Sequence, residues 1–253
     1  MLAKERQIAI CELVRENGTV TTAELMKTFN VSIETVRKDL MVLETQGYLS
    51  RTHGGAIKSD HTKPFLNFQR RTTENGAKKK MLAERAVEFI NEGDVIGIDT
   101  GSTALFLVAV IKEHFSSLTV ITHSLDVFNE LHGVKNFKVI LCGGQLLEGE
   151  RAFCGDLTTE MMKNLCMQKS FVFPTGISVE EGLTDYQYDL LPIQKQYIRA
   201  AEKVFILADS SKFQKKALYR FSEMKRAFIY VTDNDLPAEL LELYRSKNFC
   251  IYN

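Results

Sequence analysis

Apolar residues recur at helical spacing from Lys4 to Val14, at Ile8, Cys11, Leu13 and Val14, and Asn17-Gly18 then supplies a stop. The run Thr21-Thr22-Ala23-Glu24 has the Ser/Thr-x-x-Glu form in which two side chains satisfy each other's free backbone N–H groups, so it predicts a short helix from about Thr22 to Phe29. Asn30-Val31-Ser32 reads as a tight turn, with Ser32 able to cap a third helix. That helix carries Ile33, Val36, Leu40 and Leu43 as one apolar stripe and ends near Gln46-Gly47. Tyr48 to His53 alternates like a strand, and Gly54-Gly55 permits a hairpin return through Ala56-Ile57.

After residue 81 the pattern changes to short apolar runs separated by helical stretches. Strands are predicted at Val95–Asp99, Leu118–Thr122, Phe137–Leu141, Ser170–Phe173, Val204–Leu207, Ala227–Val231 and Phe249–Tyr252. Helices are predicted between them at about 82–92, 102–114, 124–132, 157–166, 188–202 and 237–246. Such alternation calls for a mostly parallel sheet flanked by helices, an α/β domain. Residues 58–80 lack a sustained apolar period and contain Pro64, so they read as a linker. The expected organisation is a small helical and hairpin domain over 1–57, a linker over 58–80 and an α/β domain over 81–253.

Composition changes this picture in one respect. An apolar fraction of 45% with 25% charged residues over 253 positions is that of an ordinary globular chain. The 32 basic and 32 acidic residues cancel, which taken alone argues against a nucleic-acid partner. The cancellation hides an uneven distribution. Basic and acidic residues number 8 and 8 over 1–60, 6 and 1 over 61–80, and 18 and 23 over 81–253. No run reaches the 18 or so apolar residues of a membrane span and the start is amphipathic, so a cytoplasmic protein with no membrane partner is expected. The five cysteines are widely spaced, with no C-x-x-C pair and no His at zinc-ligand spacing; reduced thiols, no metal and no cofactor are expected.

A helix, a short helix, a turn and a longer helix is the arrangement in which the last helix can lie in a major groove. At about 100° per residue, the stripe turned inward leaves Glu34, Thr35, Lys38 and Met41 pointing away, with Thr35 and Lys38 placed best for base edges. Arg37 lies at the flank, where it can reach a phosphate or bridge to a neighbouring element. Ser32 suits both capping and a phosphate contact. Arg51 and His53 on the hairpin can touch the adjacent backbone or minor groove, while His53 is equally consistent with a strand-surface residue. A helical packing module without ligand also fits this segment.

These residues resemble a known family. Arg6 and Ile8, Ser32-Ile33-Glu34-Thr35-Val36-Arg37-Lys38-Asp39-Leu40, Leu43 to Leu49 and Arg51-Thr52-His53-Gly54-Gly55-Ala56 look like the winged helix-turn-helix of DeoR-type bacterial transcriptional regulators.

Farther along, Asp99-Thr100-Gly101-Ser102-Thr103 carries an apolar strand into a turn at a helix start. There Gly101 lets an anion approach the backbone and Ser102 and Thr103 add hydroxyl donors, although simple helix capping explains the turn as well. Two more loops follow strands, at Cys142-Gly143-Gly144 and Ala208-Asp209-Ser210-Ser211-Lys212-Phe213. Loops at the carboxyl ends of parallel strands converge on one pocket. Lys212 is either a cation for an anionic ligand or a solvated lysine, and Asp209 is an acceptor for sugar hydroxyls.

The same pieces, with Leu118 to Ser124, Gly155 and Gly182-Leu183-Thr184-Asp185, resemble the DeoR effector domain. That resemblance implies a fold similar to ribose-5-phosphate isomerase and CoA transferases and control by a phosphorylated sugar. It assigns Asp99, Gly101, Ser102, Thr103, Gly143, Gly144 and Lys212 to the effector pocket, with His123 standing where Asn is usual. Phe173-Pro174 departs from the small residues that normally follow the strand. Asp189-Leu190-Leu191-Pro192-Ile193-Gln194-Lys195 keeps one acid of the usual pair and shifts the lysine by one place.

The reading is a regulator, expected to be a repressor of a carbohydrate-metabolism operon, that binds double-stranded operator DNA as a dimer or tetramer and responds to a phosphorylated sugar. The alternative is a sugar-phosphate isomerase with an accessory DNA-binding domain, for which Asp99, Asp185 and Asp209 are the available carboxylates.

Overall fold

The computed structural model describes residues 3–45, 49–57 and 68–253. The expected helix stop at Gln46-Gly47, Tyr48 and residues 58–67 of the expected linker lie outside the described residues. The chain divides into two compact units, Met1–Arg70 and Arg71–Asn253.

In the first unit the elements are α1 (Ala3–Asn17), β1 (Thr19–Thr21), α2 (Thr22–Phe29), α3 (Ile33–Thr45), β2 (Ser50–Thr52) and β3 (Gly55–Ile57). The strands form an antiparallel sheet in the order β1-β3-β2. The first strand, β1, has only three residues and was not foreseen. It packs so closely on the hairpin that a Cβ at Gly55 would lie 2.0 Å from the Val20 carbonyl oxygen.

The α2 start is set by the expected capping box. The Thr21 N–H donates to Glu24 Oε2 at 2.8 Å, and the Glu24 N–H donates to Thr21 Oγ1 at 3.2 Å. Thr21→Ala is expected to cost about 1 kcal/mol of this unit's stability, which urea titration of the full chain measures.

The core of this unit gathers Ile10, Val14, Val20, Leu25, Val36, Leu40, Leu43, Leu49 and Ala56. The buried row on α1 is Arg6, Ile10 and Val14, one face at i, i+4, i+8, whereas the expected Cys11 and Leu13 are only half-buried. At the head of that row, Arg6 Nε donates to Asp39 Oδ2 of α3 at 2.6 Å, and Gln7 Nε2 donates to the other carboxylate oxygen at 2.9 Å.

Helix α4 (Phe68–Thr73) crosses the division between the units, and α5 (Gly76–Val87) follows. The linker expectation over 58–80 is therefore corrected for its last thirteen residues, most of which are helical. The α5 face that packs inward is Lys79, Leu82, Ala83, Ala86 and Val87. Its apolar period is concealed because it opens on a lysine inside the run Lys78-Lys79-Lys80.

The second unit continues with β4 (Val95–Ile98), α6 (Ser102–His114), β5 (Leu118–Thr122), α7 (Leu125–Leu131), β6 (Phe137–Leu141), β7 (Gln145–Leu147), β8 (Ala152–Cys154) and α8 (Asp156–Lys163). Then come β9 (Met167–Val172), β10 (Gly176–Ser178), β11 (Gly182–Asp185), α9 (Leu191–Ala200), β12 (Ala201–Leu207), β13 (Tyr219–Ser222), β14 (Ile229–Val231), α10 (Ala238–Ser246) and β15 (Cys250–Tyr252). Seven strands form one wholly parallel sheet in the order β15-β14-β12-β9-β4-β5-β6.

One sheet face packs on α5, α6 and α7 through Leu82, Leu107, Ile111 and Val127. The other packs on α8, α9 and α10 through Met162, Ile193, Tyr197 and Tyr244. From β4 the chain builds outward through β5 and β6, then returns to β9 on the opposite side and builds outward again through β12. The direction of strand order thus reverses between β4 and β9, and the crevice beyond their carboxyl ends is where ligands bind in such sheets. No helix among the described residues is long and apolar enough to cross a membrane.

Candidate DNA interface and effector site

On α3, Glu34, Arg37, Lys38 and Met41 form the exposed row, whereas Val36, Asp39, Leu40 and Leu43 turn inward. Thr35, expected at the centre of the reading face, is half-buried. Its N–H donates to Ser32 Oγ at 3.3 Å and its hydroxyl lies 3.1 Å from the same atom, so Ser32 acts here as a helix cap. Arg37, expected at the flank, shares a groove with Ile33, Leu40 and Glu44, closed on the other side by the hairpin residues Arg51 to Gly55.

Arg51 Nε donates to Glu44 Oε2 at 2.7 Å and its N–H to Glu44 Oε1 at 2.8 Å, which fixes the hairpin against α3. The Thr22 N–H and hydroxyl both reach the Gly54 carbonyl, at 2.7 and 2.9 Å, and hold the hairpin tip. His53 is exposed at that tip. A helix presenting Arg37 and Lys38 beside a braced basic hairpin has the form of a duplex reader.

In the second unit, the residues that follow β4, β5, β6, β9 and β12 all lie on one edge of the parallel sheet. Asp99 follows β4 directly, and Gly101 leads into α6 at φ +152°. A Cβ on Gly101 would lie 3.3 Å from the Cβ of Phe173, the residue after β9. The α6 start has no side-chain cap; its Ala104 N–H closes on the Gly101 carbonyl at 3.1 Å, and Ser102 and Thr103 beside it are buried, a helix N-terminus of the kind that suits an anion.

The Gly143-Gly144 loop is tied to α8. Thr158 Oγ1 donates to the Gly143 carbonyl at 3.0 Å, and a Cβ at Gly144 would lie 2.1 Å from that hydroxyl. Asp209 caps the turn that carries Lys212, accepting the Ser211 N–H at 3.0 Å. Lys212 is half-buried and makes no ion pair among the described residues.

His123 is fully buried. Its Nδ1 lies 3.1 Å from the Tyr197 hydroxyl and its Nε2 3.6 Å from Asp99 Oδ1, and burial pushes its pKa down to about 3. Burial drives Asp99 the other way, to about 8, against the backbone N–H of Thr100 and with Asp185 adding to the rise.

The DeoR-like helix-turn-helix domain matches residues 6–62 and the DeoR C terminal sensor domain matches residues 74–234. This chain belongs to the DeoR family of transcriptional regulators. The HTH-type transcriptional regulator YulB of Bacillus subtilis (strain 168) is 32% identical over 248 residues, covering 98% of this chain and 95% of that protein. A lactose phosphotransferase system repressor of Staphylococcus epidermidis is 33% identical over 234 residues, covering 91% and 92%. Ribose 5-phosphate isomerase A from Neisseria gonorrhoeae overlaps 53% of this chain and 52% of its own at 20% identity and a TM-score of 0.40.

Within this DeoR-family chain, the fold brings groups to the sensor edge that the sequence pattern did not mark. From α4 and α5 come Arg71, Lys78 and Lys79, three of the cations assigned to the linker. Arg71 binds Glu150 at 2.5 Å, and burial pushes the Glu150 carboxyl up to about 7 even so. Lys78 donates to Ser210 Oγ and reaches Asp235, each at 2.8 Å. Lys79 is buried and donates to the Glu74 carbonyl at 2.7 Å and to the Arg71 carbonyl, and burial lowers its pKa to about 8. Thr100 Oγ1 donates to the Glu150 carbonyl at 3.3 Å, linking the α6 turn to the Arg71 pair. From α9 come Gln194 and Tyr197. The cluster of lysines before Leu82 was the one available signal for these groups, and charge alone did not say which unit it serves.

Proposed function

We propose that this chain represses a carbohydrate-metabolism operon in the cytoplasm by binding double-stranded operator DNA, and that a phosphorylated sugar held in the second unit changes that affinity. The observation that carries the reading is the combination in one chain of an exposed Arg37–Lys38 row on a braced winged helix with an uncapped α6 start at the strand-order reversal. The Staphylococcus epidermidis relative, a named repressor of a sugar phosphotransferase system, supports the same reading.

In it, Ser32, Glu34, Thr35, Arg37, Lys38, Arg51 and His53 form the DNA face. The phosphate lies on the open N–H groups of Gly101 to Thr103, with Lys212 as countercharge. Asp99, His123, Gly143, Gly144 and Asp209 surround the sugar. The chain acts as a homo-oligomer, because one recognition helix reads few base pairs and paired half-sites multiply specificity. It is not an enzyme. The alternative isomerase chemistry needs a carboxylate base beside a cation; Asp99 and Asp185 meet an amide, Gln194, and Asp209, which has lysines near it, is taken up in capping its own turn through the Ser211 N–H at 3.0 Å.

The test is fluorescence anisotropy on an operator obtained by selection from genomic fragments, with and without a panel of sugar phosphates. At least one of them should shift DNA affinity by a factor of about 5–150 while its unphosphorylated sugar does nothing. Turnover of ribose 5-phosphate by the pure protein would overturn the reading. On the same operator, Lys38→Ala is expected to weaken specific binding by about 1–3 kcal/mol with the salt slope unchanged, the mark of a base contact. A slope reduced by about one marks a phosphate contact instead.

A further inference from the structure

The ends of β4 and β11 and the inner face of α9 bring Asp99, Asp185 and Gln194 together, all of them buried. Gln194 Nε2 donates to Asp185 Oδ2 at 3.0 Å and reaches Asp99 Oδ2 at 3.5 Å. The reverse amide orientation would set oxygen against two carboxyl groups, so both N–H groups are spent and Gln194 Oε1 is left with no partner. His123 faces the same carboxyl from the end of β5. The Tyr197 hydroxyl donates to the Ile98 carbonyl at 2.9 Å, so its oxygen accepts from His123 Nδ1–H. The remaining ring nitrogen, Nε2, then carries a bare lone pair toward Asp99 Oδ1, and it too has no hydrogen-bond partner.

The unfilled positions of this cluster are therefore all acceptors. Among the described residues, Arg71 is the cation that acts on Asp185, and none is among the groups that act on Asp99. Arg71 is committed to Glu150 at 2.5 Å, and the element that packs over the pair presents the neutral Gln194. Two carboxyls buried together are costly unless a proton or a cation joins them.

We infer that the effector bears a protonated primary amine that enters between Asp99 and Asp185, so that its class is a phosphorylated amino sugar. An ammonium group has three N–H donors and no acceptor. It brings donors to both carboxyls and adds no further acceptor to the cluster, while a hydroxyl brings one donor and another lone pair. The inference rests on the effector reading above, in which the ligand's phosphate takes the α6 start. Asp99 and Ser102 are three residues apart, a span of at most about 11 Å, so a single monosaccharide bridges the two ends.

Isothermal titration calorimetry of the full chain tests this with paired ligands: glucosamine, galactosamine and mannosamine 6-phosphates against glucose, galactose and mannose 6-phosphates. The best amino form should bind at least about tenfold more tightly than its hydroxyl counterpart, the value of a charge-assisted hydrogen bond. Gln194→Lys, which supplies the ammonium from the protein, should keep binding of the hydroxyl sugar and abolish the preference. Equal affinity within every pair, or tighter binding of N-acetylglucosamine 6-phosphate than of glucosamine 6-phosphate, overturns the inference and leaves the effector reading standing. Silence from all six sugars, from inorganic phosphate and from the rest of the sugar-phosphate panel overturns the effector reading itself.

Discussion

Asp39→Ala is expected to remove about 3–5 kcal/mol from the first unit and with it measurable operator binding. The Arg6–Asp39 pair is nearly excluded from water, at 8% and 3% exposure, and joins α1 to α3 at 2.6 Å. Truncating the carboxylate does not merely delete an attraction. It strands a buried guanidinium with no countercharge, and that penalty accounts for most of the loss. A unit of this size holds a small margin of stability, so the helix that carries Arg37 and Lys38 should lose its support.

The chain has no tryptophan, so urea unfolding of the full chain is followed by far-UV circular dichroism and operator binding by anisotropy. The double variant Arg6→Met with Asp39→Leu should recover most of the stability, because two apolar groups can fill the site without a buried charge. A loss under about 1 kcal/mol in the single variant would show that the pair is not what holds α1 to α3.

The same pair explains why α1 was the least legible helix of the first unit. A charge at the head of the Arg6–Ile10–Val14 face disguises the buried row as polar, while the Thr21–Glu24 box and the Ile33 to Leu43 stripe announce α2 and α3 openly. The parallel strands were legible for a related reason. Strands covered on both faces read as continuous apolar runs, as Val204 to Leu207 does. The strands β10, β11 and β13 carry Ser178, Thr184, Asp185 and Arg220 in runs of three or four and gave no such signal, although β10 and β11 are buried throughout.

For the candidate site, strand-end loops with Gly, Ser and Asp could be marked from sequence because their backbone demands are local. Asp99, Gly101 and Asp209 are of that kind. Gln194 and Tyr197 could not, since what they do depends on α9 lying across the ends of β4 and β5, and nothing in their neighbours along the chain records that. The lysines of α5 were visible, and the error lay in assigning them to a linker. Lys79 is buried and Lys78 is bound to Ser210 and Asp235, so the +5 balance of residues 61–80 is drawn in part into the sensor unit.

Asp99→Asn is expected to flatten the pH dependence of the sensor unit's stability between about pH 4 and pH 8. Burial is the first cause of the high Asp99 pKa, about 8 in the fold against 3.8 for a free side chain. A carboxyl raised in this way binds its proton more tightly folded than unfolded. Its contribution is therefore complete below about pH 4 and is lost as pH rises through 8. The groups facing it act in known directions. Asp185 from β11 raises it, the Thr100 and Phe173 backbone N–H groups and Gln194 lower it, and His123 stays neutral in this window because burial has already pushed it to about 3.

Glu150, raised to about 7, adds a loss of the same sign over a narrower range, and Lys79, lowered to about 8, acts in the opposite sense only above that pH. The difference between wild type and Asp99→Asn cancels both. Thermal melts by circular dichroism at pH 5 and pH 8 should give a wild-type Tm that falls by at least about 5 °C more than the variant's, given roughly 2–4 °C per kcal/mol for a unit of this size. Parallel Tm curves would mean that Asp99 is ionised in the folded protein and that a cation near it has gone unrecognised. Added glucosamine 6-phosphate should reduce the wild-type slope in the same experiment, because an ammonium beside Asp99 replaces the proton that burial otherwise demands.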